Sequence, residues 1–249
     1  MELNVYKDDQ ALSAAVADMI IGCIKSKPGA LLCFATGDSP KLTYRLFAEK
    51  VIKNKIDVSK CFIIGLDEWM GISPDNTGSC HWFLHEYLIR PLNISPSQVH
   101  LFDAFTKNEP GECDAMNRLI AAKGGVDLMV AGVGMNGHIG FNEPDTDIHS
   151  LAHVALLDET TVTVGRKYFA EKVTIDKGIT VGLKQVMAAK KLVIIASGAK
   201  KAPVIKKTVE DNVSTQFPAT LIQKHTKGFL MIDRAAASEL KTEFKWHTN

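Results

Sequence analysis

Short, unbroken apolar runs separated by amphipathic stretches constrain this chain more than any other feature. Ala30–Ala35 reads ALLCFA and Cys61–Leu66 reads CFIIGL, and similar runs span Val126–Val133, Lys191–Ala196 and Gly228–Ile232. Each is too short for a helix of its own and lacks the alternation of a strand with one wet face. Each therefore predicts a strand buried on both faces. Helical spacing fills the gaps between them. Behind an acidic start at Asp8, Ala11, Ala15, Met19, Ile20 and Ile24 recur on one face up to Lys25. Further helices are predicted over Pro40–Asn54, Trp82–Ile89, Glu112–Lys123 and Ala202–Glu210. Such alternation implies right-handed crossovers and a mainly parallel sheet flanked by helices. No repeat, low-complexity tract or linker breaks the chain, so the expectation is a single Rossmann-like, doubly wound α/β domain over residues 1–249.

Composition agrees with that large core: 46% of residues are hydrophobic and 23% charged. The 29 Lys and Arg against 28 Asp and Glu leave a formal charge of +1. That balance argues against nucleic acid or a membrane surface as partner. A small anion is not excluded, because a phosphate needs only a few well-placed cations. The opening MELNVYKDDQ lacks the basic start and apolar run of a signal peptide. No run approaches the roughly 18 apolar residues of a membrane span. The five cysteines, Cys23, Cys33, Cys61, Cys80 and Cys113, never form CxxC and mostly sit in apolar runs. They read as reduced core residues rather than disulfides or a zinc site, which predicts a cytoplasmic protein. A homo-oligomer is left open.

Ligands of such sheets bind beyond the carboxyl ends of the strands, so the residues after each apolar run carry the functional signal. After the first comes Thr36-Gly37-Asp38-Ser39-Pro40. A glycine turn opening a helix offers free N–H groups and a dipole end to a phosphate; the alternative is a plain turn with Ser39 as helix cap. After the second comes Leu66-Asp67-Glu68-Trp69. Carboxylates among apolar neighbours can be raised toward neutrality, as a general base requires; the alternative has Asp67 capping a turn and Glu68 solvated.

The third strand end is Gly132-Val133-Gly134-Met135-Asn136-Gly137-His138-Ile139-Gly140-Phe141-Asn142-Glu143-Pro144, with four glycines in nine residues. Glycines permit close ligand approach, and a His near a carboxylate can form an oriented acid/base pair. A purely structural glycine loop is the alternative. Its GxGxxG does not lead into a helix and lacks an acidic ribose ligand at the expected distance, which disfavours a dinucleotide. After the later strand, Ser197-Gly198-Ala199-Lys200-Lys201 places cations at a helix start, where the dipole opposes them unless an anion binds. Arg166 is a further candidate cation. His81 and His85 have helical metal-ligand spacing but no third ligand and no HExxH pattern, and read as surface or packing residues.

Taken together and in this order, the motifs at Thr36–Pro40, Leu66–Trp69 and Gly132–Pro144 resemble the amino-hexose-6-phosphate deaminase/isomerase family over about Asn4 to Asp233. GHIGFNEP is the most specific of them; the related 6-phosphogluconolactonases share the glycine-rich core but differ after the His. The resemblance implies a sugar-phosphate substrate, no metal and no organic cofactor. It implies that Asp67 moves a proton between C2 and C1 of the open-chain sugar, with Glu68 beside it at the substrate. His138 would open the ring, supported by Glu143. Thr36, Gly37 and Ser39 would hold the phosphate loop, and Arg166 and Lys201 the phosphate charge. The resemblance also brings in 6-phosphogluconolactone hydrolysis as an alternative.

Three departures stand out. Asn136 occupies the catalytic-loop position where glucosamine-specific members have an acid, which is similar to a branch associated with galactosamine 6-phosphate. Asp38 replaces a small residue in the phosphate loop. Asp145 to Ala155 contains no Lys or Arg, although allosteric relatives bind an N-acetylated sugar phosphate there with basic residues, so no such activation is expected.

Overall fold

A computed structural model describes residues 1–241 of the chain. In chain order its elements are β1 (Glu2–Tyr6), α1 (Asp9–Ser26), β2 (Leu31–Phe34), α2 (Asp38–Lys53), β3 (Phe62–Gly65), β4 (Asp67–Trp69) and α3 (Cys80–Leu84). There follow β5 (Val99–His100), α4 (Glu109–Ala122), β6 (Leu128–Ala131), β7 (His153–Leu156), α5 (Glu159–Gly165), β8 (Lys177–Thr180), α6 (Leu183–Ala188), β9 (Leu192–Ala196), α7 (Ala202–Glu210) and β10 (Gly228–Asp233).

Seven strands form one sheet in the order β1-β10-β9-β6-β2-β3-β5, and every pairing is parallel. The unbroken apolar runs are explained by two cores. Along β2, Leu31 and Cys33 face one of them, while Leu32 and Phe34 face the other. β9 divides likewise, with Leu192 and Ile194 on the first side and Val193 and Ile195 on the second. The first core is covered by α4 through Met116 and Ile120 and by α7 through Ile205. The second is covered by α1 through Val16 and Ile20 and by α2 through Tyr44 and Phe47. Burying each large side chain of this kind contributes about 1.5–3 kcal/mol, so a strand with no wet face is stable only between two helical layers. The doubly wound expectation holds.

Strand order reverses between β2 and β6: the chain leaves β2 toward β3 and β5, then returns on the other side through β6 and β9. Connections diverge at such a point and open a crevice at the carboxyl ends of the strands.

Several elements lie outside the sequence expectation, β5, α5 and α6 among them. β1 adds an edge strand before the first helix. A second, antiparallel sheet, ordered β4-β8-β7, grows from the end of β3. Leu66 joins the two sheets, since its N–H donates to the Phe34 carbonyl at 3.0 Å and its own carbonyl accepts from Val181 N–H at 2.9 Å. Beneath the small sheet, Trp69 packs edge-on to Phe141 at 4.6 Å and to Phe169 at 5.9 Å. The helix expected over Trp82–Ile89 begins at Cys80 as α3 and continues as a wider π turn over His85–Ile89.

Candidate active site

Asp67 and Glu68 open β4, and consecutive strand residues face opposite sides. Asp67 faces a cleft of about 710 Å³ at the crevice between β2 and β6. The Cys80 thiol donates to its Oδ1 at 3.7 Å. Burial, and then the nearby Glu68 charge, push the Asp67 carboxyl up to about 7, against a small lowering from Cys80. Glu68 is 2% exposed and does not line the cleft. Its Oε1 accepts from the N–H groups of Trp69 at 2.8 Å and Cys80 at 3.0 Å, and its Oε2 from His81 N–H at 2.7 Å. Cys80 and His81 begin α3, where backbone donors lack partners within the helix. Glu68 is thus an anchor for α3 rather than a substrate contact, correcting the expectation. Burial pushes its carboxyl to about 7 too, opposed by these three hydrogen bonds.

The glycine loop after β6 brings His138 to the same cleft as Asp67. A Cβ on Gly134 would sit 2.4 Å from the His138 ring, so only glycine lets the imidazole lie against the backbone. His138 Nδ1 is 2.9 Å from the Thr161 hydroxyl and 3.4 Å from Glu143 Oε2. Asn136 stands behind this pair and does not line the cleft. Its Nδ2 donates to Glu143 Oε2 at 2.8 Å, and its Oδ1 accepts from His138 N–H at 3.3 Å. Burial alone would raise the Glu143 carboxyl. Hydrogen bonding and charge from His138, with help from Thr161 and Asn136, outweigh it and hold Glu143 below the ordinary glutamate value.

The other end of the cleft is made of donors. α2 begins at Asp38 with Gly37 as its cap residue, at φ 104°, and no side chain caps the first turn. The N–H groups that Ser39 would cap in the plain-turn alternative therefore stay open. Thr36, Gly37 and Ser39 line this end with Lys200, Lys201 and Lys167. Lys201 Nζ donates to the Val133 carbonyl at 2.5 Å. Burial, and then the neighbouring Lys167 charge, lower its ammonium to about 8. A lysine held this way gains most from an incoming anion. Lys167 pairs with Asp38 at 2.6 Å across the mouth of the cleft. One end gathers cations and open N–H groups, and the other gathers Asp67 and His138.

A family model described as glucosamine-6-phosphate isomerases/6-phosphogluconolactonase matches residues 7–231. The chain belongs to this family. A glucosamine-6-phosphate deaminase of Thermoanaerobacter pseudethanolicus is 36% identical over 245 residues, covering 98% of this chain and 96% of that protein. The solved structure of a monomeric glucosamine-6-phosphate deaminase matches with a TM-score of 0.92 at 31% identity, over 96% of this chain and 100% of that one. A 6-phosphogluconolactonase from Trypanosoma brucei matches with a TM-score of 0.78 at 19% identity, over 96% of this chain and 98% of that one, a likeness of fold alone.

In this member of the glucosamine-6-phosphate isomerase family, the fold gathers Thr36, Gly37, Ser39, Asp67, His138 and Lys201 around one cleft. Glu143 and Asn136 stand one step behind His138. Arg166 is the second correction: it is exposed and does not line the cleft, whereas its neighbour Lys167 does. Both lie in a single 3-10 turn, Arg166–Tyr168, whose rotation no spacing rule fixes. Sequence reasoning also missed Thr161 and Cys80, which belong to no motif. His81 and His85 stack at 4.6 Å on α3 and the turn after it. Among the described residues, no group of three or more His, Cys, Asp or Glu is placed to hold a metal ion. The five cysteines are all buried free thiols, and no described helix is long and apolar enough to cross a membrane.

Proposed function

We propose that the protein isomerises and deaminates an amino-hexose 6-phosphate, converting glucosamine 6-phosphate and water to fructose 6-phosphate and ammonia. The observation that carries this reading is the pairing, within one cleft, of a desolvated carboxylate at Asp67 with the His138–Glu143 unit. The open N–H groups after Gly37, with Lys201 and Lys167, take the phosphate and fix the sugar's direction in the cleft. His138 then moves the proton of the anomeric hydroxyl to the ring oxygen, and the ring opens.

C2–H is acidified by the new C1 carbonyl. Asp67 takes that proton and returns it to C1 through an enolamine. The resulting C2 imine adds water and expels ammonia. A base with a pKa near 7 in water-poor surroundings suits this transfer, because about half of it is ionised at neutral pH and it is more basic than an ordinary aspartate. Lactone hydrolysis would have no use for a base at Asp67. That is the reason deamination is preferred, together with the relatives named above.

An ammonia-release assay with glucosamine 6-phosphate tests the reading, run beside galactosamine 6-phosphate because of Asn136. Release from the gluco epimer supports it. Release from the galacto epimer alone moves the substrate to that sugar, giving tagatose 6-phosphate. Consumption of 6-phosphogluconolactone without ammonia release from either amino sugar would overturn it.

A further inference from the structure

Thr161 lies in α5, a short helix carried by the small sheet, and is 4% exposed. It belongs to no motif, yet its hydroxyl is the atom nearest to His138 Nδ1 among that nitrogen's hydrogen-bond partners, at 2.9 Å against 3.4 Å for Glu143 Oε2. Three neighbours bear on which way its hydrogen bonds run. Asn136 Nδ2 donates to the Thr161 oxygen at 3.4 Å, so that oxygen already acts as an acceptor. The Thr161 hydroxyl is among the groups that hold the Glu143 carboxyl below the ordinary glutamate value, after His138. Glu143 Oε2 also faces Nδ1, and a carboxylate favours an N–H over a lone pair in that position.

We infer that Thr161 is a positioning residue for His138: its oxygen accepts the Nδ1 proton, its hydroxyl donates to Glu143, and Nε2 is thereby left bare toward the cleft. Ring opening needs that tautomer, because the first event is acceptance of a sugar hydroxyl proton at the cleft-facing nitrogen. An acid at position 136 would supply a charge beside the imidazole. Asn136 cannot, and Thr161 provides an oriented dipole in its place.

The neighbourhood fits the role. Val162, the next residue, packs into the Trp69 cluster and fixes the rotation of α5. Asp158, the cap of α5, accepts from Thr160 N–H at 2.8 Å, and hydrogen bonds from Thr160, with smaller help from Asn136 and the His138 charge, hold its carboxyl below the ordinary aspartate value. Asp67, Lys167, Lys200 and Lys201 are the further charged groups that line the same cleft as the imidazole.

The test uses the full chain with Thr161→Val, which keeps shape and removes the hydroxyl, and Thr161→Ser, which restores it. Imidazole nitrogen NMR without substrate, with His138 assigned through a His138→Gln variant, reads the tautomer directly. The wild type is expected to show a protonated Nδ1 and a bare Nε2 above the imidazole pKa. Thr161→Val is expected to show a mixture and Thr161→Ser the wild-type pattern. In kinetics, Thr161→Val should lower kcat about ten- to a hundredfold with KM little changed and an altered acidic limb of the pH profile, and Thr161→Ser should recover most of the rate.

A wild-type Nε2–H tautomer overturns the assignment whatever the variants do. So does a Thr161→Val protein with the wild-type tautomer, whether its rate is kept or lost. The kinetic role rests on the proposed function, but the tautomer is read without substrate. A fixed tautomer in a protein that releases no ammonia would therefore count against the deaminase reading and not against Thr161.

Discussion

The two faces of β4 carry adjacent carboxylates that do opposite jobs. Asp67 faces the cleft with a single weak thiol donor, while Glu68 faces inward and accepts three backbone N–H groups. Burial raises both to about 7, so the size of a shift does not separate a base from an anchor. The number of committed lone pairs does. A carboxylate whose oxygens are occupied cannot take a proton from carbon, and one with a free oxygen in a substrate-sized cleft can.

The largest expected effect breaks the cleft face alone. Asp67→Asn should lower turnover by about 10²–10⁴-fold or more while leaving KM within a few-fold, measured by ammonia release. Near-normal turnover would remove Asp67 as the base.

Glu68→Gln should do the reverse. Gln has one acceptor oxygen and would turn its NH2 group against a backbone donor, so the start of α3 should loosen, read as faster hydrogen exchange at the Cys80 and His81 amides. The rate per folded molecule should fall much less than in Asp67→Asn. A Glu68→Gln protein with unchanged exchange at those amides and no activity would reverse the two roles.

The pH dependence sharpens the comparison further. Activity requires ionised Asp67, so kcat/KM should fall as pH drops below about 7. Stability runs the other way. A carboxyl raised on folding binds its proton more tightly in the folded state, so its contribution is present at acid pH and is lost as pH rises from the unfolded value near 4 to about 7. Asp67→Asn should therefore gain stability relative to wild type at pH 8 and gain less at pH 5, as thermal melts at the two pH values would show.

The smallest effect is expected from Cys80→Ala. Without the thiol donor the acidic limb of activity should move to higher pH, with less than a tenfold change in rate at pH 8. A limb that moves down, or not at all, would show that the thiol does not act on Asp67.

Much of this was legible in the residues. Runs such as ALLCFA read as strands buried on both faces, and the ends of those strands are where the chain places Gly37, Asp67 and His138. What escaped has physical reasons. β4 is three residues long, and β7 is half-exposed with no alternation, so neither shows a strand period. The partners that make Glu68 an anchor lie 12 and 13 residues away, across a loop. Arg166 and Lys167 are equally cationic, and only the pitch of a 3-10 turn decides which of them lines the cleft. Thr161 reaches His138 from a helix 23 residues on, a contact created by tertiary packing and by nothing in local spacing.

Leu66 has a mechanical consequence. It is stitched to the large sheet through its N–H and to the small sheet through its carbonyl, and Asp67 is the next residue. Any swing of the small sheet against the large one pivots there, carrying α5 and Lys167 on a long radius and the base on almost none. Of the cations that line the cleft, Lys167 rides on the rim, while Asp67 is mounted on the axle.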